Sequence, residues 1–320
     1  MLKPTFLSIG AAVQDVFMQG DIFKSHIEDG VKVQEFQLDS KQEFDDITIS
    51  VGGGATNAAT TFARQGLHSM FMGNIGDDVS AELVLNTLHE EQIDTSMIKT
   101  VSKGKTGYSA ILVAPSGGRT ILTFRGVSKH YNLHEADFHG SKPDWIYISS
   151  LSGDTDALKT ILKYAKHHEI KVAINPGKGE IKHAKDFIEL LDAVTILSLN
   201  KEEFQSLFGD KTIPDLLKVA TSHVSIALLT DGPKGSHASD GQQIYSAGMY
   251  EDVPVLDRTG AGDAFSSGFV CRVAQGYDIK DALTFASANS TSVVGKMGAK
   301  DGILKETARI HSMQIGVNPL

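Results

Sequence analysis

Short apolar runs alternate with helical segments through the second half of the chain. Each run is long enough for one buried strand, and the segments between the runs have the apolar spacing of helices. The runs cover residues 145–148, 172–174, 194–197 and 226–229. Strands joined through helices form parallel sheets with helices on both faces, so such strands are apolar throughout. The pattern predicts an α/β fold with a doubly wound, mostly parallel sheet.

Polar and glycine-rich residues follow these runs, at the predicted carboxyl ends of the strands. They include Asn175-Pro176-Gly177, Asn200 to Glu203 and Thr230 to Gly235. Near the start of the chain, the apolar run 6–9 predicts a first strand, and Asp15 falls just past its end. Because ligands of open α/β sheets bind at this edge, we expect one ligand crevice there. The alternative interpretation of Asp15 is a solvated acid in a loop.

Two further segments have the alternating pattern of half-exposed strands. Residues 16–50 contain several short runs of this kind, and residues 104–126 form a predicted hairpin around Ser116-Gly117-Gly118. The first segment predicts a small sheet, inserted between the first strand and its helix, with one face in contact with water, and the later hairpin is expected to complete this sheet. At the far end of the hairpin, Arg125 is placed to face a ligand; the alternative is a surface arginine.

The stretch 257–263, Asp-Arg-Thr-Gly-Ala-Gly-Asp, precedes an apolar series with helical spacing. The series predicts a helix that begins at about Asp263, after a turn formed by Gly260 to Gly262. The first amide groups of a helix have no partner within the helix, so this turn predicts an anion site. A carboxylate beside an anion site suits a general base for a hydroxyl that attacks a phosphoryl group. The alternative is a carboxylate that stabilises the helix dipole by about 0.3–1 kcal/mol.

Three consecutive glycines, Gly52-Gly53-Gly54, precede another predicted helix. They permit a tight turn and the close approach of a ligand; the alternative is a flexible loop before a helix that packs closely on the sheet. Asn57 stands where a dinucleotide fingerprint has its third glycine. Lys99 stands where a P-loop ending in Gly104-Lys105-Thr106 has its first glycine. Neither common nucleotide signature is therefore present.

The composition excludes several classes of partner. A formal net charge of −9 over 320 residues argues against general binding of nucleic acid or anionic membranes. The single Cys271 cannot form an internal disulfide, which suits a reducing compartment. The sequence has no N-terminal signal pattern and no apolar run long enough for a membrane span. We therefore expect a cytoplasmic protein with neither a nucleic-acid nor a membrane partner.

The order of these features resembles the PfkB family of ribokinase-like sugar and nucleoside kinases over essentially the whole chain. Residues 52–57 are similar to the N-terminal signature of that family, and residues 257–268 are similar to its C-terminal signature. Asn200 to Glu203 matches the N-x-x-E element of the family, and Gly298-Ala299 matches a Gly-Ala turn near the adenine pocket. Arg258 departs from the pattern, which usually has a small residue there.

The resemblance implies one ribokinase-like kinase domain over residues 1–320. Segments 16–50 and 104–126 would form a β-sheet lid that closes over the substrate and excludes water. The apolar residues of these strands cannot all be buried in so small a sheet. A homodimer formed through the lid is therefore a further expectation.

The resemblance also implies a role for each candidate site residue. The predicted catalytic residues are Asp263, which acts as the base, and Gly260, Ala261 and Gly262, which form the anion hole. The predicted substrate site consists of Asp15, Gly53, Gly54, Asn57 and Arg125. The predicted nucleotide site consists of Asn200, Thr230, Gly232, Gly235, Asn289 and Gly298. Glu203 would organise Mg²⁺ through water, and Asp257 occupies a position that binds an alkali cation in several relatives, which makes K⁺ a second candidate ion.

These assignments predict an ATP-dependent kinase that moves the γ-phosphoryl group to a hydroxyl of a sugar or sugar derivative. The alternatives are a nucleoside kinase of the same family and a catalytically silent sugar or nucleotide sensor, which would have no need of Asp263. Ser152 stands near the place where ribokinases carry a glutamate, so free ribose is expected to be held less firmly. Arg125 and Arg258 favour an anionic sugar derivative.

Overall fold

The computed structural model describes residues 3–138, 140–251 and 253–320. The strands of the first half are β1 (Thr5–Ile9), β2 (Val13–Gln19), β3 (His26–Glu28), β4 (Val31–Val33), β5 (Asp46–Gly52), β6 (His68–Ile75), β7 (Asp94–Thr100), β8 (Gly107–Val113) and β9 (Arg119–Phe124). Those of the second half are β10 (Trp145–Ile148), β11 (Lys171–Ile174), β12 (Ile196–Asn200), β13 (Ile226–Thr230), β14 (Ser236–Ser239), β15 (Gln243–Ala247) and β16 (Ile315–Pro319).

The helices follow the strands in the expected alternation. They are α1 (Gly54–Arg64), α2 (Val79–Glu90), α3 (Thr155–His167), α4 (Lys178–Ile181), α5 (Ala184–Leu190), α6 (Lys201–Phe208), α7 (Ile213–Ala220), α8 (Ala261–Ala274) and α9 (Ile279–Val294). Several begin at a side chain that accepts a hydrogen bond from the third amide of the helix, as Asp78, Asp154 and Asp278 do. Such caps satisfy one of the amides that have no partner within the helix. No helix in the described ranges is long and apolar enough to cross a membrane.

A ten-stranded sheet runs through the molecule in the order β16-β15-β14-β13-β12-β11-β10-β1-β6-β7. The strands from β13 to β7 are parallel, and β14, β15 and β16 extend the sheet in antiparallel pairing. The strand order reverses at β1, since β6 lies on one side of it and β10 on the other. Ligands of open α/β sheets bind at such a switch point, outside the carboxyl ends of the strands. The predicted α/β fold is confirmed.

Both faces of this sheet are covered by helices. Along β10, Trp145 and Tyr147 face the core that contains α1, α8 and α9, while Ile146 and Ile148 face the core that contains α3 and α5 to α7. Side chains alternate between the two faces of a strand, so burial on both faces requires an uninterrupted apolar run. This explains why short apolar runs located these strands in the sequence.

The small inserted sheet has four strands in the order β5-β2-β8-β9. Strand β2 pairs antiparallel with β5 and parallel with β8, and β9 returns from β8 as a hairpin. The predicted presence of a small sheet beside the large one is confirmed. Strand β2 already begins at Val13, three residues before the segment that was expected to start the sheet. We call this four-stranded sheet the lid sheet.

Candidate active site

The carboxylate of Asp263 lies in the first turn of α8, at the carboxyl edge of the large sheet. The helix begins at Ala261, two residues earlier than the sequence predicted, and Gly260 caps it with a left-handed φ of 77°. A Cβ atom on Gly260 would lie 2.5 Å from the Cβ of Ala299, so only glycine fits this turn. The Ala261 amide donates to the Arg258 carbonyl at 3.3 Å. Of the expected anion hole, the Ala261 amide is therefore engaged, whereas the amides of Gly260 and Gly262 make no backbone hydrogen bond among the described turns and caps.

The start of α1 meets the start of α8 at this point. The Asn57 side-chain nitrogen, in the first turn of α1, donates to Asp263 Oδ2 at 2.8 Å. A Cβ atom on Gly54 would lie 2.3 Å from Ser149 Oγ and 2.9 Å from Asp263 Oδ1. The glycine therefore allows α1 to approach the carboxylate this closely. Burial raises the pKa of the Asp263 carboxyl, while the Asn57 hydrogen bond and the charge of Lys300 act in the opposite direction.

Asp15 lies inside strand β2 of the lid sheet, which corrects its expected position in a loop after β1. Its side chain is only 6% exposed and is bonded to the Ser109 side chain on the neighbouring strand β8. Burial raises the pKa of this carboxyl to about 6, although the Ser109 hydrogen bond and the charge of Lys300 lower it. A Cβ atom on Gly52 would overlap the Asp15 carboxylate, so the triple-glycine stretch also makes room for this side chain.

A buried lysine that the sequence analysis did not identify joins these groups. Lys300 is 6% exposed, and its Nζ donates to the Val51 carbonyl at 2.7 Å, to Thr56 Oγ1 at 2.8 Å and to Asn57 Oδ1 at 2.6 Å. Burial lowers the pKa of the ammonium group to about 7, while the charges of Asp15 and Asp263 oppose this shift. The only signal in the sequence was its position directly after Gly298-Ala299, and a single lysine in a loop ordinarily reads as exposed.

Two cavities meet at the α8 turn. One, of about 220 Å³, has a largely apolar lining that includes the predicted nucleotide residues Thr230, Gly232 and Gly235, together with Val255 and Arg258. The other, of about 260 Å³, has a polar lining. Its residues include Asn175, Ser198, Asn200, Glu203, Thr230, Gly260, Gly262 and Asp263. Asp263 therefore shares a cavity with the N-x-x-E element.

Asn200 and Glu203 hold each other in place. The Asn200 side chain accepts the Glu203 amide at 2.9 Å, and Glu203 Oε2 accepts the Asn200 amide at 2.9 Å. This reciprocal capping box fixes the start of α6. Burial raises the pKa of the Glu203 carboxyl. One oxygen of each side chain thus accepts a capping hydrogen bond at the start of α6. The second carboxylate oxygen of Glu203 is left to bind a ligand in the cavity.

Two predicted nucleotide residues lie elsewhere in the structure. The Asn289 side chain is fully buried, donates to the Ala264 carbonyl at 2.9 Å and accepts the Leu304 amide at 2.8 Å. Its neighbours Ser287, Ser290 and Thr291 line the apolar cavity instead. Gly298 donates its amide to Asp257 Oδ2 at 3.1 Å and is not among the described residues that line either cavity. Both residues therefore support the site from outside it.

Asp257, the expected alkali-cation ligand, forms an ion pair in this structure. Its Oδ1 accepts from the Arg119 guanidinium at 3.2 Å, from the Thr259 amide at 3.0 Å and from the Thr259 hydroxyl at 2.8 Å. Arg119 belongs to β9, so the pair joins the lid sheet to the α8 turn. The positive charge next to Asp257 thus comes from the protein itself, a contact that the sequence could not reveal.

Arg125, the expected substrate residue, makes a second bridge between the two sheets. It follows β9 and donates to Ser152 Oγ at 3.0 Å, in the loop after β10. The Ser152 hydroxyl in turn donates to the Ser128 carbonyl at 3.2 Å. A carboxylate does lie beneath this loop, but Glu180 accepts the amides of Leu151, Gly153 and Gly177 at 2.7–2.8 Å. Glu180 therefore shapes the loop, and both of its carboxylate oxygens accept hydrogen bonds from the protein.

The chain matches known kinases over most of its length. The sequence model described as pfkB family carbohydrate kinase matches residues 27–306. A ribokinase from Bacillus subtilis is 28% identical over 257 residues, which cover 79% of this chain and 84% of the relative. An ATP-dependent ribose-1-phosphate kinase from Halopiger xanaduensis is 28% identical over 260 residues, which cover 78% and 82%.

Solved structures agree on the fold. Ribokinase from Arabidopsis thaliana, complexed with ribose and ATP, superposes with a TM-score of 0.77 at 20% identity over 96% of this chain and 97% of the other. The nucleoside kinase of Methanocaldococcus jannaschii gives 0.76 at 19% identity, over 95% and 96%. The predicted ribokinase-like fold and the predicted ATP-dependent carbohydrate kinase activity are confirmed at the level of the family. The chain belongs to the pfkB family of carbohydrate kinases.

Proposed function

We propose that this kinase transfers the γ-phosphoryl group of ATP to a hydroxyl of a sugar or sugar derivative, with Asp263 as the general base. One observation carries the proposal: the Asp263 carboxylate lies at the start of α8, in the cavity that also contains the N-x-x-E element, with Oδ2 bound to Asn57. A sensor without catalysis would have no use for a half-buried carboxylate whose ionised form is made costly by burial.

The reaction needs one proton transfer and one displacement. Asp263 takes the proton of the acceptor hydroxyl as its oxygen forms a bond to the γ-phosphorus, and the bond between that phosphorus and the β,γ-bridging oxygen breaks to release ADP. Negative charge on the transferring group is stabilised by the amides of Gly262 and Asp263 at the start of α8. The carboxylate and these amides belong to one rigid turn, so the base and the anion hole keep a fixed separation.

We assign the nucleotide to the apolar cavity of about 220 Å³, with Thr230, Gly232 and Gly235 along one wall. The polar cavity suits Mg²⁺, because carboxylate and amide oxygens are the donors that this ion prefers. Glu203 would hold it through water, since one of its carboxylate oxygens is engaged by the Asn200 amide. When bound, the ion neutralises charge on the phosphates.

On the acceptor side we propose a hydroxyl-rich ligand. Asp15 and Asn57 are buried, hydrogen-bonding groups beside the base, and such groups select ligands whose hydroxyls pair with them. Ser152 already donates to Ser128 and accepts from Arg125, so it offers little to free ribose. Arg125 provides positive charge beside Ser152 on the acceptor side, whereas Arg258 lines the cavity that we assign to the nucleotide. A sugar phosphate or sugar acid is therefore the preferred acceptor, ahead of ribose and of nucleosides.

We further propose that two copies of the chain associate through the lid sheet. Ile49, Val16, Ala110 and Leu122 are in register across the four strands, so they share one face of the lid sheet. Val16 in the middle of this row is buried, but Ile49 and Leu122 at its two ends are 53% and 59% exposed, and exposed apolar side chains on one face mark an interaction surface. Light scattering should give a dimer mass, and Leu122→Asp should lower it; a monomer at every concentration contradicts this.

The cytoplasmic location and the absence of a nucleic-acid partner stay predictions.

A substrate screen tests the proposed function. ADP formation is coupled to a spectrophotometric readout with ATP and Mg²⁺, and sugars, sugar phosphates, sugar acids and nucleosides are compared by kcat/KM. ³¹P NMR of the product then identifies the phosphorylated hydroxyl. We expect an anionic sugar derivative to give the highest value. A nucleoside at the top of the ranking would replace the substrate class, and ATP hydrolysis without any phosphorylated acceptor would contradict the function.

A further inference from the structure

Lys300 has three hydrogen-bond partners, which match the three donors of a charged lysine. Its Nζ lies 2.6–2.8 Å from the Val51 carbonyl, Thr56 Oγ1 and Asn57 Oδ1, all neutral oxygens. An ammonium group has three N–H donors for these three acceptors, whereas a neutral amine has two donors and directs a lone pair at the third oxygen. The side chain is 6% exposed, so water cannot replace a missing donor. These three acceptors therefore match the ammonium form, although burial lowers its pKa to about 7.

This ammonium group determines which way the Asn57 amide points. An ammonium has no acceptor, so the atom of Asn57 that faces it must be the oxygen. The amide nitrogen is then forced to the opposite side, where it donates to Asp263 Oδ2 at 2.8 Å. With the amide reversed, Asn57 would present a hydrogen atom to the ammonium and an oxygen to the carboxylate, and both contacts would become repulsive.

We propose that Lys300 is a positioning residue of the phosphoryl-transfer reaction, which binds the Asn57 amide oxygen and thereby directs the amide nitrogen to Asp263. This rests on the proposed function of Asp263 as the base. The bond from Asn57 occupies Oδ2 and leaves Oδ1, on the side of Gly54 and Ser149, for the proton of the acceptor hydroxyl. Lys300 makes no hydrogen bond to the Asp263 carboxylate in the described part of the chain. It is also not among the described residues that line the two cavities.

The charge of Lys300 gives this role a measurable signature. The charged groups that act on it are Asp15, Asp263 and Glu91, which favour the ammonium, and Arg64, which opposes it. In return, the ammonium lowers the pKa of the Asp15 and Asp263 carboxyls. Loss of this charge should raise both pKa values, so the acidic limb of the kcat profile should move to higher pH. A lysine that only fills space would leave that limb in place.

Two substitutions of Lys300 test the proposal, with Lys296 as a matched control. Lys300→Met should lower kcat by roughly 10- to 100-fold, the effect of one lost hydrogen bond to a charged group, and leave the KM for ATP within about twofold. Lys300→Gln keeps two N–H donors without the charge, so it should retain more kcat yet show the same shift of the acidic limb. Lys296→Met changes an exposed lysine four positions away and should match the wild type.

The outcomes separate this proposal from the function on which it rests. Each kcat is divided by the fraction of protein that binds ATP, so partial unfolding does not count as a catalytic loss. If Lys300→Met does not fold, the acidic limb of Lys300→Gln decides. The role of Lys300 is contradicted if the acidic limb of the kcat pH profile is unchanged, or if Lys300→Met keeps a kcat within about threefold of the wild type. In either case an inactive Asp263→Asn would leave the proposed base in place. An active Asp263→Asn would instead reject the proposed base.

Discussion

The acceptor side and the nucleotide side of the site are built on different principles. On the acceptor side, Asp15, Asn57 and Lys300 are almost completely buried, and each has a specific polar partner. On the nucleotide side, the cavity of about 220 Å³ is largely apolar, and Val255 and Met249 in its lining are 51% and 45% exposed. The base Asp263 stands between the two.

This difference predicts where the enzyme is selective. The loss of a hydrogen-bond partner costs a buried polar group far more free energy than the loss of an exposed apolar contact does. Water cannot replace the lost hydrogen bond in the buried site. We therefore expect substitutions on the acceptor side to change activity strongly and to act on the sugar. Substitutions on the nucleotide side should change activity only weakly, through the KM for ATP alone.

The largest effect should come from removal of the divalent cation, which belongs to neither side. Chelation with excess EDTA should lower the rate by roughly 10³-fold or more, since the charge of the transferring group is then compensated by the protein alone. Excess Mg²⁺ added afterwards should restore the full rate. Activity that persists in EDTA would remove the assigned role of Glu203.

Asp15→Asn tests the selectivity of the acceptor side. We expect kcat/KM for the acceptor to fall by about 100-fold, the effect of a lost charge-assisted hydrogen bond, and the KM for ATP to stay unchanged. Asp46→Asn, on exposed strand β5 of the same lid sheet, is the matched control. If both variants raise the KM for ATP equally, the two sides are not separate.

The same substitution should stabilise the free enzyme at neutral pH. The pKa of Asp15 is raised from 3.8 to about 6 in the folded protein, so this group favours folding only below its unfolded pKa and loses that contribution as pH rises through 6. At pH 7.5 the ionised carboxylate costs roughly 3 kcal/mol at most. Asp15→Asn should thus unfold at higher urea concentration at pH 7.5, and the gain should vanish below about pH 4.

Val255→Ala tests the nucleotide side. The removal of two methyl groups from a half-exposed wall should raise the KM for ATP by about two- to tenfold, with kcat and the KM for the sugar unchanged. Val317→Ala, at an exposed position on β16 away from the site, is its control. A loss above about 100-fold would mean that the nucleotide side is as selective as the acceptor side.

The smallest effect should be the replacement of Na⁺ by K⁺. Because the Arg119 guanidinium already lies 3.2 Å from Asp257, we expect the two ions to give rates within about twofold of each other. Arg119→Ala removes that charge, and K⁺ should then stimulate more than it does in the wild type. Strong stimulation of the wild-type enzyme would show that the ion pair opens during turnover.

The sequence predicted the features that depend on residues close together in the chain, such as strands and helix starts. Runs such as 145–148 located strands because burial on both faces leaves no polar position in them, and the glycines around Asp263 located a helix start. The position of Asp15 was wrong because β2 follows β1 after only three residues, too few for a turn signal. Lys300 was missed because its partner Asn57 is 243 positions away, and only the folded chain brings them together.

Asp263 is assigned to remove the proton of the acceptor hydroxyl. Asp263→Asn preserves the size of the side chain and its contact with Asn57 but cannot take a proton, so kcat should fall by roughly 10²–10⁴-fold while calorimetry still detects ATP binding. The measurement is the rate of ADP formation at saturating acceptor, compared with the wild type at the same pH. A loss of this size with intact ATP binding supports Asp263 as the general base, and a variant that keeps more than half of the wild-type kcat contradicts this role.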